Sequence, residues 1–599
     1  MDKHNFYIGK SFDAYDYFGA HTEKNGTTFR VYAPNADKVC LIGEFNNWKE
    51  EEMKKLETSG IFEFLQSEAE IGMMYKYVIY SPHSRVEHCD PYGFSMELRP
   101  NFASIISDLT YKFTDKKWME TRTRCYDRPM NIYEMHLGSW KHNPEDEENG
   151  WYKYDELIPL LIPYLKENGY THVEFMPLSE HPFDGSWGYQ NTGFFAPTSR
   201  YGTPLQLKKL INALHKEGIG AVIDFVPVHF AADYYGLKEF DGTRLYEHPA
   251  CDVGNSEWGT YNFAYSRGEV CSFIQSAANF WLEEYHFDGI RMDAISRAIY
   301  WRGEPQRGVN NEAVAFYRNM NEGLHKLHPT VFICAEDSTS FPGVTNLSPE
   351  NSLDFDYKWD MGWMNDTLDY FRSFPWSRKD QYDKLTFSMM YFYNERYLLP
   401  FSHDETVHGK ATIVQKMNGD YENKFQQARA MYMYMYIHPG KKLNFMGNEL
   451  GMLREWDEKQ EQDWDLLKYP MHDSFRNYIF ELNKLYEKYD AFYYDYDPLN
   501  FEWADISDRE HSVYSIVRKS KYYDILAILN FDGIERKDYE LKIPGKAKLL
   551  LCSDWDIYNG KTDHKKKIFT QKKDASDNLI LKMDIPAFSG TMFYIENEK

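Results

Sequence analysis

The stretch FDGIRMDA, residues 287–294, predicts a short buried strand that carries two ionisable side chains. Side chains two residues apart on a strand point to the same side, so Arg291 and Asp293 share one face. A buried carboxylate is unfavourable unless it is paired, and Arg291 supplies a partner. The pair is either a structural ion pair in a core or part of a functional site, since both occur in proteins. The rest of the chain decides between these interpretations.

The composition limits the classes of protein to which the chain can belong. Its 599 residues can hold several domains and a large core, and a hydrophobic content of 43% excludes a disordered chain. The net charge of −24 argues against nucleic acid or an anionic membrane as a partner, because such partners are bound through basic patches. An uncharged partner fits this composition better than a polyanionic one.

The seven cysteines are scattered along the chain, and none has Cys-x-x-Cys spacing. This pattern predicts free thiols in a reducing compartment, here the cytoplasm, and neither a disulfide framework nor a zinc site. The N-terminal residues lack the apolar segment of a secretion signal, and no run reaches 18 apolar residues, so no membrane span is expected. The sequence leaves the oligomeric state open, with a monomer as the expectation.

Short strand-like runs separated by glycine, asparagine and proline turns begin the chain. They cover residues 27–34, 38–45, 61–68 and 75–81. This spacing predicts a β-sandwich module over residues 1–115. Trp48 follows the turn Asn46-Asn47, and we assign it to the core of this module in preference to a platform for sugar.

Strand-like and helix-like segments alternate over residues 116–497, which predicts a parallel sheet covered by helices. Eight such units fit a (β/α)8 TIM barrel with an insertion at about residues 228–267. The clearest helix is capped by Thr203 and stops at Gly218, and another is expected from about Ser272 to Tyr285. The eight strands are expected at residues 131–137, 171–178, 220–227, 289–294, 331–337, 352–359, 397–405 and 441–447.

Polar side chains collect at the ends of four predicted strands. These side chains are Asp224 and His229 at the third strand, Arg291 and Asp293 at the fourth, Glu336 and Asp337 at the fifth, and His403, Asp404 and Glu405 at the seventh. Active sites of TIM barrels lie at the C-terminal ends of the strands, so these residues should converge. A solvated surface would scatter its charges and a core would lack them, which favours a functional site.

Several acids with two histidines and one arginine suit the cleavage of a glycosidic bond. In the retaining reaction one carboxylate attacks the anomeric carbon while a carboxylic acid protonates the leaving oxygen, and the two lie about 5–5.5 Å apart. Neighbouring strands, about 4.8 Å apart, can provide that spacing. A third acid nearby would favour the protonated form of the donor, and Arg291 would hold the nucleophile ionised.

The motifs DFVPVH, GIRMDA, AED and SHDE, in this order along a barrel, resemble the four signature regions of the α-amylase family of glycoside hydrolases. Within that family, residues 180–203, 335–345 and 400–410 look like segments of the 1,4-α-glucan branching enzymes. GEFNNW and residues 90–100 resemble the carbohydrate-binding sandwich that precedes the barrel there, and residues 498–599 resemble the C-terminal all-β domain. The resemblance implies a multidomain α/β protein in which two β domains flank the TIM barrel.

The resemblance also implies a role for each matching residue. Asp293 would be the nucleophile, Glu336 the proton donor and then the base, and Asp404 would hold hydroxyls of the sugar in the transition state. The residues expected to bind or position the substrate are Tyr189, Asp224, His229, Arg291 and His403. The partner would be an α-glucan, in which an α-1,4 bond is cleaved and the chain is moved to a 6-hydroxyl, making α-1,6 branches in glycogen or a starch-like glucan. No cofactor is implied.

Departures from the family pattern leave some properties open. Val228 stands where many amylases carry a calcium-binding asparagine, and since valine cannot ligate a hard cation we expect no metal there. Asn191 and residues 301–303 also depart from the usual branching-enzyme sequence, so acceptor preference and transferred chain length stay open. A hydrolase of the same family would use the same acids and differ only in its product. A non-catalytic glycan-binding protein is the other alternative, although all three signature acids are present.

Overall fold

The structure, a computed structural model, describes residues 1–56, 59–345 and 352–596. Eight parallel strands close into a barrel in chain order, as the sequence predicts. Seven of them end two to four residues earlier than expected, because the last residues of each predicted run leave the ladder and enter loops. The barrel strands are Asn131–Met135, His172–Phe175, Gly220–Phe225, Gly289–Met292, Phe332–Ala335, Tyr357–Trp359, Tyr397–Phe401 and Lys441–Phe445.

Helices lie between most of the barrel strands and after the last one. The helix Pro204–Lys216 is capped as predicted, since the Thr203 hydroxyl accepts a hydrogen bond from the Gln206 amide and the Gln206 side chain accepts one from the Thr203 amide. The helix expected from Ser272 begins earlier. The longer helices are Ile158–Glu167, Pro204–Lys216, Gly268–Glu284, Asn311–Leu327, Met361–Arg372, Tyr421–Ile437 and Pro470–Lys488. The predicted insertion contains a small two-stranded antiparallel sheet, His229–Phe230 paired with Tyr261–Asn262.

The N-terminal module is a β-sandwich, as predicted. One sheet contains Gly19–Glu23, Gly26–Tyr32, Ile61–Gln66 and Lys54–Lys55, and the other contains Glu51–Glu52, Lys38–Gly43, Met74–Ser81 and Ser84–His88, with Ser104–Ile105 paired to Met74–Ser81. Phe29 from the first sheet packs against Tyr75 from the second, with ring centroids 4.8 Å apart. Aromatic contacts of this kind hold the two inner faces together.

The prediction that Trp48 lies in the core of this module is wrong, because its side chain is 40% exposed. Asn47 and Trp48 both adopt left-handed backbone conformations, with φ of 53° and 59°. This turn follows the short 3-10 helix Glu44–Asn46 and carries the indole out of the sandwich. The Nζ atom of Lys76 lies 5.6 Å from the centre of the Trp48 ring.

The C-terminal domain is all β, as expected. Its larger sheet has the order Phe501–Asp505, Val513–Lys519, Tyr523–Asn530, Ser589–Glu596 and Lys546–Cys552, and its smaller sheet has the order Arg536–Ile543, Leu579–Ile585 and Phe569–Lys573. Buried aliphatic side chains from both sheets form one core, in which Phe569 lies 5.2 Å from Phe593 between ring centroids.

Within the described residues the chain forms two compact units. The first comprises Met1–Arg124, His136–Ile162 and Glu174–Asp356, and the second comprises Cys125–Met135, Pro163–Val173 and Tyr357–Lys599. Domain boundaries at residues 115 and 497 stay predictions. Across the described ranges, every helix is too short or too polar to pass through a lipid bilayer.

Candidate active site

The third, fourth and fifth barrel strands place the central residues of the site. Asp224 stands opposite Arg291 in the ladder, and Arg291 stands opposite Cys334. The hydrogen bonding continues past the strand ends, where the Asp293 amide donates to the Phe225 carbonyl at 2.9 Å and the Glu336 amide donates to the Met292 carbonyl at 3.0 Å. These bonds fix the backbone of both predicted catalytic acids relative to the barrel.

Arg291 joins three carboxylates through its two terminal nitrogens. Nη1 lies 2.6 Å from each oxygen of Asp224 and 2.9 Å from Oδ1 of Asp293, and Nη2 lies 2.9 Å from Oε2 of Glu336. Burial lowers the pKa of Arg291, but Asp224 and Glu336 outweigh that effect and raise the pKa well above its usual value. The guanidinium is therefore a permanent charge that holds Asp293 and Glu336 side by side.

The three acids differ in their access to solvent. The Asp224 side chain is 1% exposed, whereas those of Asp293 and Glu336 are 13% and 16% exposed. Glu336 Oε2 also accepts a hydrogen bond of 2.8 Å from the amide of Ala294. Ala294 has a φ of 48°, which is uncommon for a residue with a side chain and marks a constrained turn beside Asp293. Asp293 and Glu336 can thus meet a substrate, and Asp224 acts from within the protein.

Tyr189 contacts the same group of side chains. Its hydroxyl donates a hydrogen bond to Asp224 Oδ2 and accepts one of 3.3 Å from Arg291 Nη1. The half-buried ring lies 5.8 Å from the Arg291 guanidinium. One edge of the tyrosine is therefore anchored to the charged group, and part of its surface stays open to a ligand.

Ion pairs that the sequence analysis missed hold the loop that carries Tyr189. The buried Arg200 places Nη1 2.6 Å from Glu180 Oε1 and Nη2 2.7 Å from Asp184 Oδ1, and Arg99 also binds Asp184. Partial burial by itself raises the pKa of Asp184, but hydrogen bonds from the two arginines outweigh it and hold the pKa at about 2. Because Glu180 at the start of the loop and Asp184 within it both bind Arg200, the part of the loop that leads to Tyr189 is held by a charged network.

His229 lies in the short strand after the third barrel strand and is buried. Its ring centroid is 5.0 Å from that of Trp258. Burial lowers the pKa of His229 to about 4, so the imidazole is neutral near pH 7. Among the described residues, Nδ1 of His229 has no hydrogen-bond partner. A neutral imidazole can exchange hydrogen bonds with a sugar hydroxyl without adding charge.

His403 and Asp404 form a second group with a residue that the sequence analysis missed. The predicted seventh strand ends at Phe401, and His403–Thr406 is a 3-10 helix. Glu134, buried in the first barrel strand, accepts hydrogen bonds from the His403 amide at 2.9 Å and from His403 Nδ1 at 2.6 Å. Asp404 Oδ1 lies 3.6 Å from His403 Nε2. The lone acid in the apolar run NIYEM was a signal for this partner.

Direct contacts therefore join five of the predicted site residues in one group: Tyr189, Asp224, Arg291, Asp293 and Glu336. His403 and Asp404 contact each other, and His229 contacts Trp258. The chemical role of each residue stays a prediction. The arrangement of two adjacent, partly exposed carboxyl groups on a shared cation can support attack on a glycosidic carbon and proton transfer to the leaving oxygen.

One group of side chains in the described residues has the composition of a metal site. Asp556, Asp563 and His564 of the C-terminal domain can offer three ligand atoms within 4.8 Å of one another. His564 Nδ1 is hydrogen-bonded to Asp556 Oδ1 at 2.7 Å, and the group lies at the surface. An ion there would have to replace this internal hydrogen bond.

Comparisons with known proteins agree with the fold. Residues 17–93 match the family Carbohydrate-binding module 48 (Isoamylase N-terminal domain), and residues 503–596 match the family Alpha amylase, C-terminal all-beta domain. A solved structure of a putative alpha amylase from Salmonella typhimurium superposes with a TM-score of 0.72 at 17% identity, covering 97% of this chain and 100% of that one. At this identity the likeness shows the fold alone.

Two curated relatives are much more similar in sequence. The 1,4-alpha-glucan branching enzyme GlgB of Fusobacterium nucleatum subsp. nucleatum is 41% identical over 96% of this chain and 95% of its own length. The enzyme of the same name from Bacillus caldolyticus is 43% identical over 91% of this chain and 83% of its own length. Similarity at this level extends through all three parts of the fold. The chain belongs to the family of 1,4-α-glucan branching enzymes.

Proposed function

We propose that the protein is a retaining transglycosidase that cleaves an α-1,4 bond of an α-glucan and transfers the released chain to a glucan 6-hydroxyl. The observation that carries this proposal is the contact of Asp293 and Glu336 with opposite nitrogens of Arg291. One guanidinium keeps both groups within reach of one glycosidic bond, as a nucleophile and an acid require. Membership of the branching-enzyme family supports transfer to a sugar in preference to water.

In the first step, a carboxylate oxygen of Asp293 attacks the anomeric carbon of the donor. The bond from that carbon to the O4 atom of the departing chain breaks, and Glu336 gives its proton to this oxygen. The donor chain is then esterified to Asp293, and Glu336 is ionised. The Arg291 contact and the Ala294 amide stabilise the Glu336 carboxylate as it forms.

In the second step, the 6-hydroxyl of an acceptor glucan gives its proton to Glu336 and attacks the same carbon. The ester bond to Asp293 breaks, and the carboxylate returns to Arg291. Two inversions restore the α configuration at the anomeric carbon, so the new linkage is α-1,6. Both acids end in their starting protonation states, which completes the cycle.

The remaining site residues position the sugar and balance its charge. Asp224 fixes Arg291, and Tyr189 offers a ring anchored to both of them. His229 is a neutral hydrogen-bonding group. His403, which is hydrogen-bonded to Glu134, and Asp404 would bind sugar hydroxyls, as the family resemblance implies. Positioning of this kind stabilises the charge that develops on the sugar ring.

Linkage analysis tests the proposal directly. Incubation of the protein with linear amylose should produce α-1,6 linkages, detected by methylation analysis or by enzymatic debranching, with little increase in reducing ends. Heat-denatured protein is the control. Reducing ends that accumulate without new linkages would instead identify a hydrolase, and unchanged amylose would favour a non-catalytic glycan-binding protein.

We also propose that the protein works in the cytoplasm as a monomer, with modules at residues 1–115, 116–497 and 498–599, and without nucleic acid or a metal. In the described residues, which include all seven cysteines, every cysteine is a free thiol, as suits a reducing compartment. The net charge of −24 disfavours polyanions. Sedimentation velocity tests the oligomeric state, and activity after dialysis against EDTA tests the metal requirement.

A further inference from the structure

Phe374 and Trp376 form an exposed aromatic stack after the helix Met361–Arg372. Their ring centroids are 4.6 Å apart and the ring planes differ by 6°. Phe374 is 57% exposed and Trp376 is 71% exposed. Single exposed apolar residues are ordinary on a protein surface, but two stacked rings that are each more than half exposed present a defined apolar surface to a ligand. We call Phe374 and Trp376 the surface aromatic pair.

The backbone that carries the surface aromatic pair is fixed. Pro375 between the two aromatic residues restricts its own φ, and the Phe374 carbonyl accepts hydrogen bonds from the amide and the hydroxyl of Ser377, both at 2.9 Å. Arg378 is fully buried and donates to the Phe531 carbonyl at 2.7 Å and to the Phe371 carbonyl at 3.0 Å. A ligand that stacks on these rings would therefore lose little free energy in ordering the segment.

The same segment is bonded to the loop that follows Asp404. Asn418 Nδ2 donates to the carbonyls of Arg372 at 2.7 Å and Ser373 at 2.8 Å. Arg372 Nη2 donates to the Lys410 carbonyl at 3.1 Å. The segment before the surface aromatic pair is thus hydrogen-bonded to the loop that follows His403 and Asp404.

We propose that the surface aromatic pair binds an α-glucan chain outside the active site, as an accessory anchor for polymeric substrate. Pyranose rings present apolar C–H faces that stack on aromatic rings. Ser373 and Ser377, next to the pair in sequence, donate their hydroxyl protons to backbone carbonyls, so their oxygens can accept hydrogen bonds from sugar hydroxyls. A protein partner would need a larger apolar surface than one aromatic pair bordered by polar residues.

This inference rests on the proposed function, which supplies an α-glucan as the substrate. A second contact with the same polymer raises the local concentration of chains near the active site, because binding at one position makes the next encounter intramolecular. The anchor should therefore favour long and branched glucans over short ones. The anchor should lower KM for the polymer. It should leave kcat unchanged, because kcat is determined by the catalytic acids.

Affinity electrophoresis in native gels that contain glycogen tests the anchor. The assay uses the full chain with Asp293→Asn, so that turnover cannot alter the polymer. Adding Phe374→Ala or Trp376→Ala should weaken retention by about three- to tenfold, the loss expected for one aromatic contact, and Trp376→Phe should restore most of it. Tyr522→Ala, which removes an exposed aromatic side chain from the C-terminal domain, is the matched control and should leave retention unchanged.

Kinetics with active protein distinguish an effect on polymer binding at the anchor from an effect on the active site. Trp376→Ala should raise KM for glycogen-sized polymer more than KM for short amylose. If the Phe374→Ala and Trp376→Ala variants are retained as strongly as the Tyr522→Ala control, the proposed glucan anchor is wrong. If these variants change the sedimentation coefficient of the protein but not its retention, the surface aromatic pair is a self-association surface instead. Retention does not depend on turnover, so a failed linkage analysis would reject the proposed function without deciding this test.

Discussion

Arg291 Nη1 lies 2.6 Å from both carboxylate oxygens of Asp224, and both side chains are 1% exposed. This buried contact lies next to the two partly exposed acids and fixes the direction in which the guanidinium points. Since Asp293 and Glu336 both bind that guanidinium, their positions depend on a residue that the substrate does not reach.

Asp224→Ala should therefore damage both stability and catalysis. It removes one partner of a buried ion pair, which typically lowers the free energy of unfolding by about 3–5 kcal/mol. The freed guanidinium should also shift relative to Asp293, and kcat should fall by about 100-fold or more. Urea denaturation and amylose branching assays measure the two effects. Asp465→Ala, at an exposed position, is the control and should change stability by less than about 0.5 kcal/mol.

Asp293→Ala should abolish branching while the protein stays folded. Without the nucleophile no glycosyl ester can form, and kcat should fall by about 10³-fold or more. Iodine staining of amylose and linkage analysis measure turnover, and circular dichroism checks the fold. A variant with near-normal turnover would refute the assignment of the nucleophile.

Glu336→Gln should separate proton donation from the rest of the reaction. With amylose, the variant lacks the acid that protonates the leaving oxygen, and kcat should fall by about 10²- to 10⁴-fold. An α-maltosyl fluoride donor has a leaving group that needs little protonation, so the first-turnover burst of fluoride should fall much less, although steady-state release is limited by the second step, for which the variant lacks the base. A burst reduced as strongly as the turnover of amylose would show that Glu336 acts in some other way.

Tyr189→Phe and Tyr189→Ala should distinguish the ring from its hydroxyl group. Phenylalanine loses the hydrogen bond to Asp224 but keeps the ring, and should retain most of the activity if stacking on glucose is the main contribution. Alanine removes both and should lower kcat/KM by about 10- to 100-fold. Steady-state kinetics on amylose measures the difference, and equal losses would assign the effect to the hydroxyl.

The stability of the protein should fall between pH 6.5 and pH 8 through His325. Burial by itself lowers the pKa of His325, but hydrogen bonds to Asp354 and Asp356 outweigh it and raise the pKa to about 8. Below the unfolded pKa of about 6.5 the ring is protonated in both states and its stabilising effect is complete. About 2 kcal/mol should be lost as the pH rises through the folded pKa.

His325→Gln should remove this pH-dependent contribution. Urea denaturation of wild type and variant at pH 6 and pH 8.5 measures it, with the exposed His83→Gln as the control. Asp356 also accepts a hydrogen bond of 2.7 Å from the amide of Ile333 in the fifth barrel strand, so the histidine supports the strand that precedes Glu336. A difference that is the same at both pH values would contradict the assignment to His325.

Sequence patterns predicted the barrel because short apolar runs alternate with helix-like segments eight times. They placed the strand ends too late, as at His403, because apolar periodicity does not show where a side chain leaves the ladder to bind Glu134. The sixth strand begins only at Tyr357, since Asp354 and Asp356 before it bind His325. These contacts join residues that are distant in sequence, so local reasoning could not find them.

In the candidate site, too, local sequence patterns predicted some residues and missed others. Asp224, Arg291, Asp293 and Glu336 follow from strand-end positions and motif spacing, and the structure brings them into contact. Arg200 was not predicted, because its partners Glu180 and Asp184 belong to a loop without regular periodicity. Trp48 was assigned to the core, and the left-handed turn that exposes it depends on backbone geometry that residue type alone does not determine.

The three acids around Arg291 outnumber the positive charge that they share. Even with one proton on Glu336, the group Asp224, Arg291, Asp293 and Glu336 keeps an excess negative charge. That excess negative charge stabilises the positive charge that develops on the sugar ring as the glycosidic bond breaks, and it repels anions at short range. Phosphorylated glucose units are therefore disfavoured at the cleavage position. The positions of phosphate groups along the polymer thus limit where it can be cut.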